Sequence, residues 1–342
     1  MLKPILAAAV LSFAAVSPAA AQTAITVPAN SSWKHAQTGV VLRSTLAGLP
    51  RGEIRDSSAS ELDVMVQYGE NDPTGVTVYL FRPAVGGAAI WFERAETQIL
   101  TRELFRNAAP QGPARAFAPP RGSAASALRR VYVPAGGAYK ATAVAMMPLG
   151  EWLVAIRISS QQLDAAALDA KLSEVIAGLG WPEGAAESAA AAPILACATP
   201  LTYARDAKLN QPDMTDALLG AMIAGVAAGK AREAPQGATP VSWCREGDAN
   251  QRFGVYRGAD STDGYVMALG DAGRAITINR GIAIDKKVAP YQLSLQDLDR
   301  TLVYPTFDKL PRPDAAFEAV MKNRPVSSSA RGGKNINITV PK

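Results

Sequence analysis

Histidine is almost absent from this chain: among 342 residues only His35 carries an imidazole, and cysteine occurs just twice, at Cys197 and Cys244. One histidine and two cysteines cannot assemble the His/Cys ligand sets of familiar zinc sites, so no metal is expected. Neither GxGxxG nor GxxxxGK[ST] occurs, and no cofactor is expected. The GxSxG elbow of serine hydrolases is missing too. A strong field of one sign is also lacking. Residues 23–182 hold 15 basic and 13 acidic side chains and residues 183–342 hold 19 and 17, so nucleic acid is not an expected partner. Beyond the N-terminus no apolar run approaches the roughly 20 residues that span a bilayer, and a membrane-spanning protein is not expected.

What is present begins with a leader. Residues 1–22 place one positive charge at Lys3, then an apolar run from Ile5 to Val16, then the small residues Ala19, Ala20 and Ala21. This is the pattern of a cleavable secretory signal peptide, and it predicts a periplasmic or secreted mature protein.

The mature length predicts two domains. The composition divides them at PEGAAESAAAA, between Trp181 and Pro193, giving an N-terminal domain over 23–182, a linker over 183–193 and a C-terminal domain over 194–342. In the first, LDVMVQY and GVTVYLF read as a hairpin of period-two strands, and AIWFERAETQILTREL as a helix with Trp91, Ala95 and Ile99 on one stripe. Three further strands (ALRRVYV, YKATAVAMM, EWLVAIRIS) and a helix capped by Ser159 or Ser160 complete it. In the second domain PILACATPL reads as a strand and DMTDALLGAMIAGVAAGK as a buried helix with a small-residue ridge at Gly220, Ala224 and Ala228. A four-strand meander follows from PVSWCRE to RAITINRG, with DLDRTLVY and DAAFEAVMKN as short helices and INITV as a last edge strand. The expected fold class is α+β in both domains, each a mainly antiparallel sheet with packed helices.

Export and an even cysteine count predict a disulfide between Cys197 and Cys244. His35 is the one candidate for a catalytic base. Its setting, WKHAQTGVVL, reads instead as an anchor of the chain's start to the sheet. Ser31 and Lys34 form an SxxK pattern, but it lies outside any helical stripe, which the serine and lysine pair of acyl transferases requires. Glu93 and Glu96 share a helix face as a carboxylate pair would, and with Arg94 and Arg102 nearby they read as a solvated face. Asp260, Thr262, Asp263 and Gly264 lack the alternation and closing glutamate of a calcium loop and read as a turn. Lys322, Arg324, Arg331 and Lys334 lie in a stretch without acidic residues, a basic tail suited to weak contact with anionic lipid.

The stretch from WKHAQTGVVLRSTLAGLPRGEI through VMVQYGENDPTGVTVYLF resembles the opening of uncharacterised exported proteobacterial proteins. The strand, strand, helix, three strands, helix order is similar to the sandwich of Mog1/PsbP-like domains. That resemblance implies a binding or assembly module. The expected function is accordingly that of an exported cell-envelope protein without enzymatic activity, binding a protein partner or small ligand. The alternative is a periplasmic hydrolase using His35 or a carboxylate pair.

Overall fold

The computed structural model describes residues 22–58, 60–85, 87–105, 107–184, 186–211, 242–283, 288–331 and 336–338. Residues 1–21 of the leader, the helix expected over 213–230 and Lys334 lie outside the described residues.

The N-terminal part contains strands β1 (Thr23–Ile25), β2 (Trp33–Lys34), β3 (Val41–Leu42), β4 (Thr45–Leu46), β5 (Leu49–Asp56), β6 (Asp63–Tyr68), β7 (Thr74–Phe81), β8 (Ala109–Pro110), β9 (Arg115–Phe117), β10 (Ala127–Val133), β11 (Ala141–Leu149) and β12 (Trp152–Ser160). Helix α1 (Ala88–Leu100) follows β7, and α2 (Ala165–Gly178) follows β12. Ten of these strands form one antiparallel sheet with the main order β1-β5-β6-β7-β12-β11-β10-β8, while β2 and β3 pair separately.

Alternation along the central strands explains the layering, because successive side chains leave opposite faces of a strand. On β11, Ala141, Ala143, Ala145 and Met147 join the core beneath Leu168, Leu172, Val175 and Ile176 of α2. Their alternates Val144 and Met146 pack instead with Trp91, Phe92 and Ala95 of α1. The sheet is thus buried on both faces. Helix α2 starts at Asp164, whose carboxylate accepts from Ala167 N at 2.9 Å, satisfying one of the free donors of the first turn. Ser159 and Ser160, the caps expected from sequence, end β12 instead.

The C-terminal part contributes β13 (Leu195–Ala196), β14 (Trp243–Glu246), β15 (Phe253–Gly258), β16 (Gly264–Leu269), β17 (Ala275–Arg280), β18 (Tyr291–Gln296), β19 (Arg300–Phe307), β20 (Ser327–Ala330) and β21 (Ile336–Ile338), with α3 (Pro313–Lys322) between β19 and β20. They form one nine-stranded sheet in chain order, antiparallel except for the β13–β14 pair. Phe253, Val255, Met267, Ile276 and Ile278 pack with Ala316, Ala319 and Val320 of α3. Tyr256 and Ala268 leave the other face and join the core around α1. Five layers result: α2, first sheet, α1, second sheet, α3.

The α+β expectation is therefore corrected: strands dominate, and the described residues include three α-helices. DLDRTLVY, read as a helix, is mostly β19; Thr301, Val303, Tyr304 and Thr306 are buried within the meander. Strand β18 escaped notice because its alternation mixes Gln292, Ser294 and Gln296 with Leu293 and Leu295. No helix among the described residues is long and apolar enough to cross a membrane.

Candidate functional site

The stripe on α1 faces the first sheet, but the second sheet covers the helix from the other side. Its turn between β16 and β17 is clamped at both ends. Arg94, fully buried, donates from Nε to Gly270 O at 2.7 Å and from Nη2 to Gln251 O at 3.1 Å. Ala84 N donates to Gly273 O at 2.7 Å. Gly273 has φ +89°, and a Cβ there would stand 3.0 Å from the Phe81 ring and 3.2 Å from Pro83 Cα, so the turn presses against the end of β7. Only glycine fits both that conformation and that approach.

The clamped turn roofs a cavity of about 240 Å³ on the α1-facing side of the first sheet. Asp63 and Met65 of β6, Tyr79 and Phe81 of β7, Ala155 and Arg157 of β12 and Met146 of β11 form its floor. Ala95 of α1 and Asp271 and Ala272 of the turn close it, with Gln22 and Ser57 alongside. Register aligns Met65, Tyr79, Ala155 and Met146 in one row across four strands. A second depression, bounded by Pro119, Pro120, Trp181 and Pro182, holds only about 30 Å³, roughly the liquid volume of one water.

Three charged side chains, Asp63, Arg157 and Asp271, line the larger cavity. Arg157 is ion-paired with Asp271 of the second sheet and lies 5.3 Å above the Tyr79 ring. Burial pushes its guanidinium below the ordinary range, and its Nε is buried without a hydrogen-bond partner. Asp63 is 6% exposed, and its closest ion-pair contact, Arg274 Nη1, lies 3.7 Å away, beyond hydrogen-bond range. Arg274 is already held by Asp297 at 2.8 Å. Burial raises the Asp63 carboxyl to about 6; Arg274 opposes the rise and the neighbouring Asp56 adds to it. Asp56 itself is satisfied, accepting from Ser58 N, Ser58 Oγ and Glu61 N at 2.7–2.9 Å.

His35 lies on the opposite face of the first sheet. It is fully buried, 4.7 Å from the ring of Trp152 and 5.6 Å from that of Trp33. Nδ1 accepts from Thr38 N at 3.2 Å and bonds Thr38 Oγ1 at 2.8 Å, which leaves Nε2 to donate to Glu61 O at 2.9 Å. Both nitrogens are committed to the fold, so a base on this imidazole would have to break that packing. Ser31 and Lys34 lie in a turn and in β2, without the helical turn that would bring them together.

Glu93 and Glu96 are not a solvated pair, because the second sheet and β10 cover that side of α1. Glu93 accepts from Arg245 Nη1 of β14 at 2.5 Å. Glu96 accepts from Arg130 Nη1 at 2.9 Å and from the Tyr132 hydroxyl; burial raises its carboxyl despite both. Tyr256, beside Glu93 and Arg94, has its phenol raised by burial and by the Glu93 charge. This cluster joins the layers.

Cys197 and Cys244 are disulfide-bonded and fasten β13 beside β14. Among the described residues of the basic tail, Arg331 donates to Pro83 O at 2.8 Å and the chain before it forms β20, while Lys322, paired with Glu318 at 2.8 Å, and Arg324 are exposed. Residues 260–263 form an exposed turn, and no group of three or more potential metal ligands occurs among the described residues.

Period-two spacing in LDVMVQY puts Leu62, Val64, Val66 and Tyr68 on one face and does not by itself show that the other face, with Asp63 and Met65, is covered too. The signal was in the partner strand, where Tyr79 and Phe81 occupy that other face of GVTVYLF. Comparison with protein-family models, curated proteins and solved structures gives no match, so the geometry alone carries the functional reading.

Proposed function

We propose that this is an exported binding protein of the cell envelope that holds a small ligand between its two sheets, in the cavity over Tyr79. The leader pattern and the Cys197–Cys244 disulfide support export into an oxidising compartment. The observation that carries the binding reading is the cavity itself: an apolar floor flanked by Asp63 and Arg157 and roofed by a turn held from both ends. Ligand sites are concave, mostly apolar, and carry a few fixed polar groups. Perturbed carboxyls concentrate at such sites. Binding is favoured over hydrolysis because the described residues lining the cavity include neither histidine nor cysteine, and of its two carboxylates Asp271 is paired with Arg157.

Thermal unfolding against envelope compounds tests this reading. A ligand at 100 times its dissociation constant stabilises by about 2.7 kcal/mol. At least one of a panel of peptides, peptidoglycan fragments, sugars and organic ions is expected to raise the midpoint. The response should vanish in Ala155→Trp, which fills the cavity. A response unchanged in that variant would place binding elsewhere, and a flat panel would overturn the reading.

A further inference from the structure

The cavity's charges and its size narrow the ligand. Asp63 faces Phe81 across β6 and β7, Phe81 faces Leu153 across β7 and β12, and Arg157 lies four residues beyond Leu153. With strands about 4.8 Å apart and a rise of about 3.4 Å per residue, the two Cα atoms lie about 17 Å apart. Both side chains line the same cavity, so their charged groups stand closer than this, at opposite corners of the Tyr79 floor. The volume of about 240 Å³ exceeds the roughly 150 Å³ that accepts benzene and falls short of the 300 Å³ or more typical of drug-sized ligands.

We propose that the cavity selects a short zwitterion of dipeptide length, its ammonium on Asp63, its carboxylate on Arg157 and its body over Tyr79 and Met65. Each end meets a group that the protein leaves incompletely paired. Asp63 has Arg274 only at 3.7 Å, and the Arg157 guanidinium, still 12% exposed, has Asp271 as its ion-pair partner through Nη2. An anion alone would meet Asp63 and Asp271 against one arginine; a cation alone would stand beside the Arg157 charge with nothing to answer it. A molecule with both charges answers both ends. A dipeptide, about 7 Å long when extended, is a body of the size that a volume of about 240 Å³ admits. This inference rests on the binding reading above.

Calorimetric titration of the full mature protein with L-Ala-L-Ala, N-acetyl-L-Ala-L-Ala, L-Ala-L-Ala amide, L-Ala and 5-aminopentanoate tests it. L-Ala-L-Ala is expected to bind, blocking either end should weaken binding about tenfold or more, and L-Ala should be too short. Asp63→Asn should weaken L-Ala-L-Ala about tenfold while leaving the N-acetyl compound unchanged, a difference that general loss of folding cannot produce. Arg157→Lys should reproduce this at the other end with the amide. Comparable binding of 5-aminopentanoate would keep the charge spacing and remove the peptide as its source. If blocked and free dipeptides bind alike, or if only other panel compounds bind, the zwitterion inference falls while the binding reading stands. If neither these probes nor the wider panel bind, both fall.

Discussion

Arg94 of α1 donates from its Nε to the carbonyl of Gly270, 2.7 Å away at the start of the β16–β17 turn, so one buried guanidinium joins the central helix to the second sheet. The turn that carries Asp271 to Arg157 is held by this bond.

Replacing Arg94 by Met would leave the carbonyls of Gly270 and Gln251 buried without these donors. The expected loss is about 2–4 kcal/mol in urea unfolding. Lysine should not restore it, because one ammonium cannot reproduce the guanidinium fork that reaches both carbonyls. Weaker ligand response should accompany the loss, since the roof of the cavity loosens with it.

His35→Ala should destabilise by about 3 kcal/mol through loss of a buried ring and of the bonds to Glu61 O and Thr38. With the refolded fraction matched, ligand response should equal that of the wild type. A selective loss of function at unchanged stability would restore His35 as a working group.

Closing the 47-residue separation between Cys197 and Cys244 stabilises by about 4 kcal/mol in the chain-entropy model, whose mechanism is disputed. Reduction, or the double Cys→Ser variant, should lower the unfolding midpoint accordingly. An unchanged midpoint would mean that the strand pairing at β13 holds without the bond.

Arg331 is engaged within the fold through Pro83 O, whereas Lys322 is 72% exposed and pairs with Glu318 on its own helix. Arg331→Gln should lower stability by about 1 kcal/mol and leave retention on anionic vesicles unchanged in flotation assays. Salt-sensitive retention that disappears in this variant would show that the residue leaves Pro83 to meet lipid.

The strands of the hairpin and of the β14–β17 meander were legible because one-sided alternation and turn residues are local signals. So was the disulfide, which needs only cysteine number and compartment. What was not legible depends on a second covering layer. Nothing around Glu93 and Arg94 announces that a sheet about 150 residues later in the chain will bury them. Likewise Asp63 reads as a solvent-facing residue until the β16–β17 turn closes over β6 and β7. Helix α1 explains both failures: its periodicity shows one apolar stripe, yet it is packed from two sides.

The measurement that tests the account most directly is the unfolding free energy of the wild type and of Asp63→Asn between pH 3.5 and 7.5. The Asp63 carboxyl titrates near 6 in the folded state, against an ordinary 3.8. Its folded form therefore prefers the proton, so its contribution is fully present below about 3.8 and is lost as pH rises through about 6. At about 1.4 kcal/mol per pH unit the loss reaches about 3 kcal/mol. The account predicts equal stabilities near pH 3.5 and an Asp63→Asn protein more stable by about 3 kcal/mol above pH 6.5, a carboxylate kept at the expense of stability for the ligand it meets. An asparagine variant less stable than the wild type at pH 7.5 would contradict it, and would make Asp63 a structural anchor for Arg274.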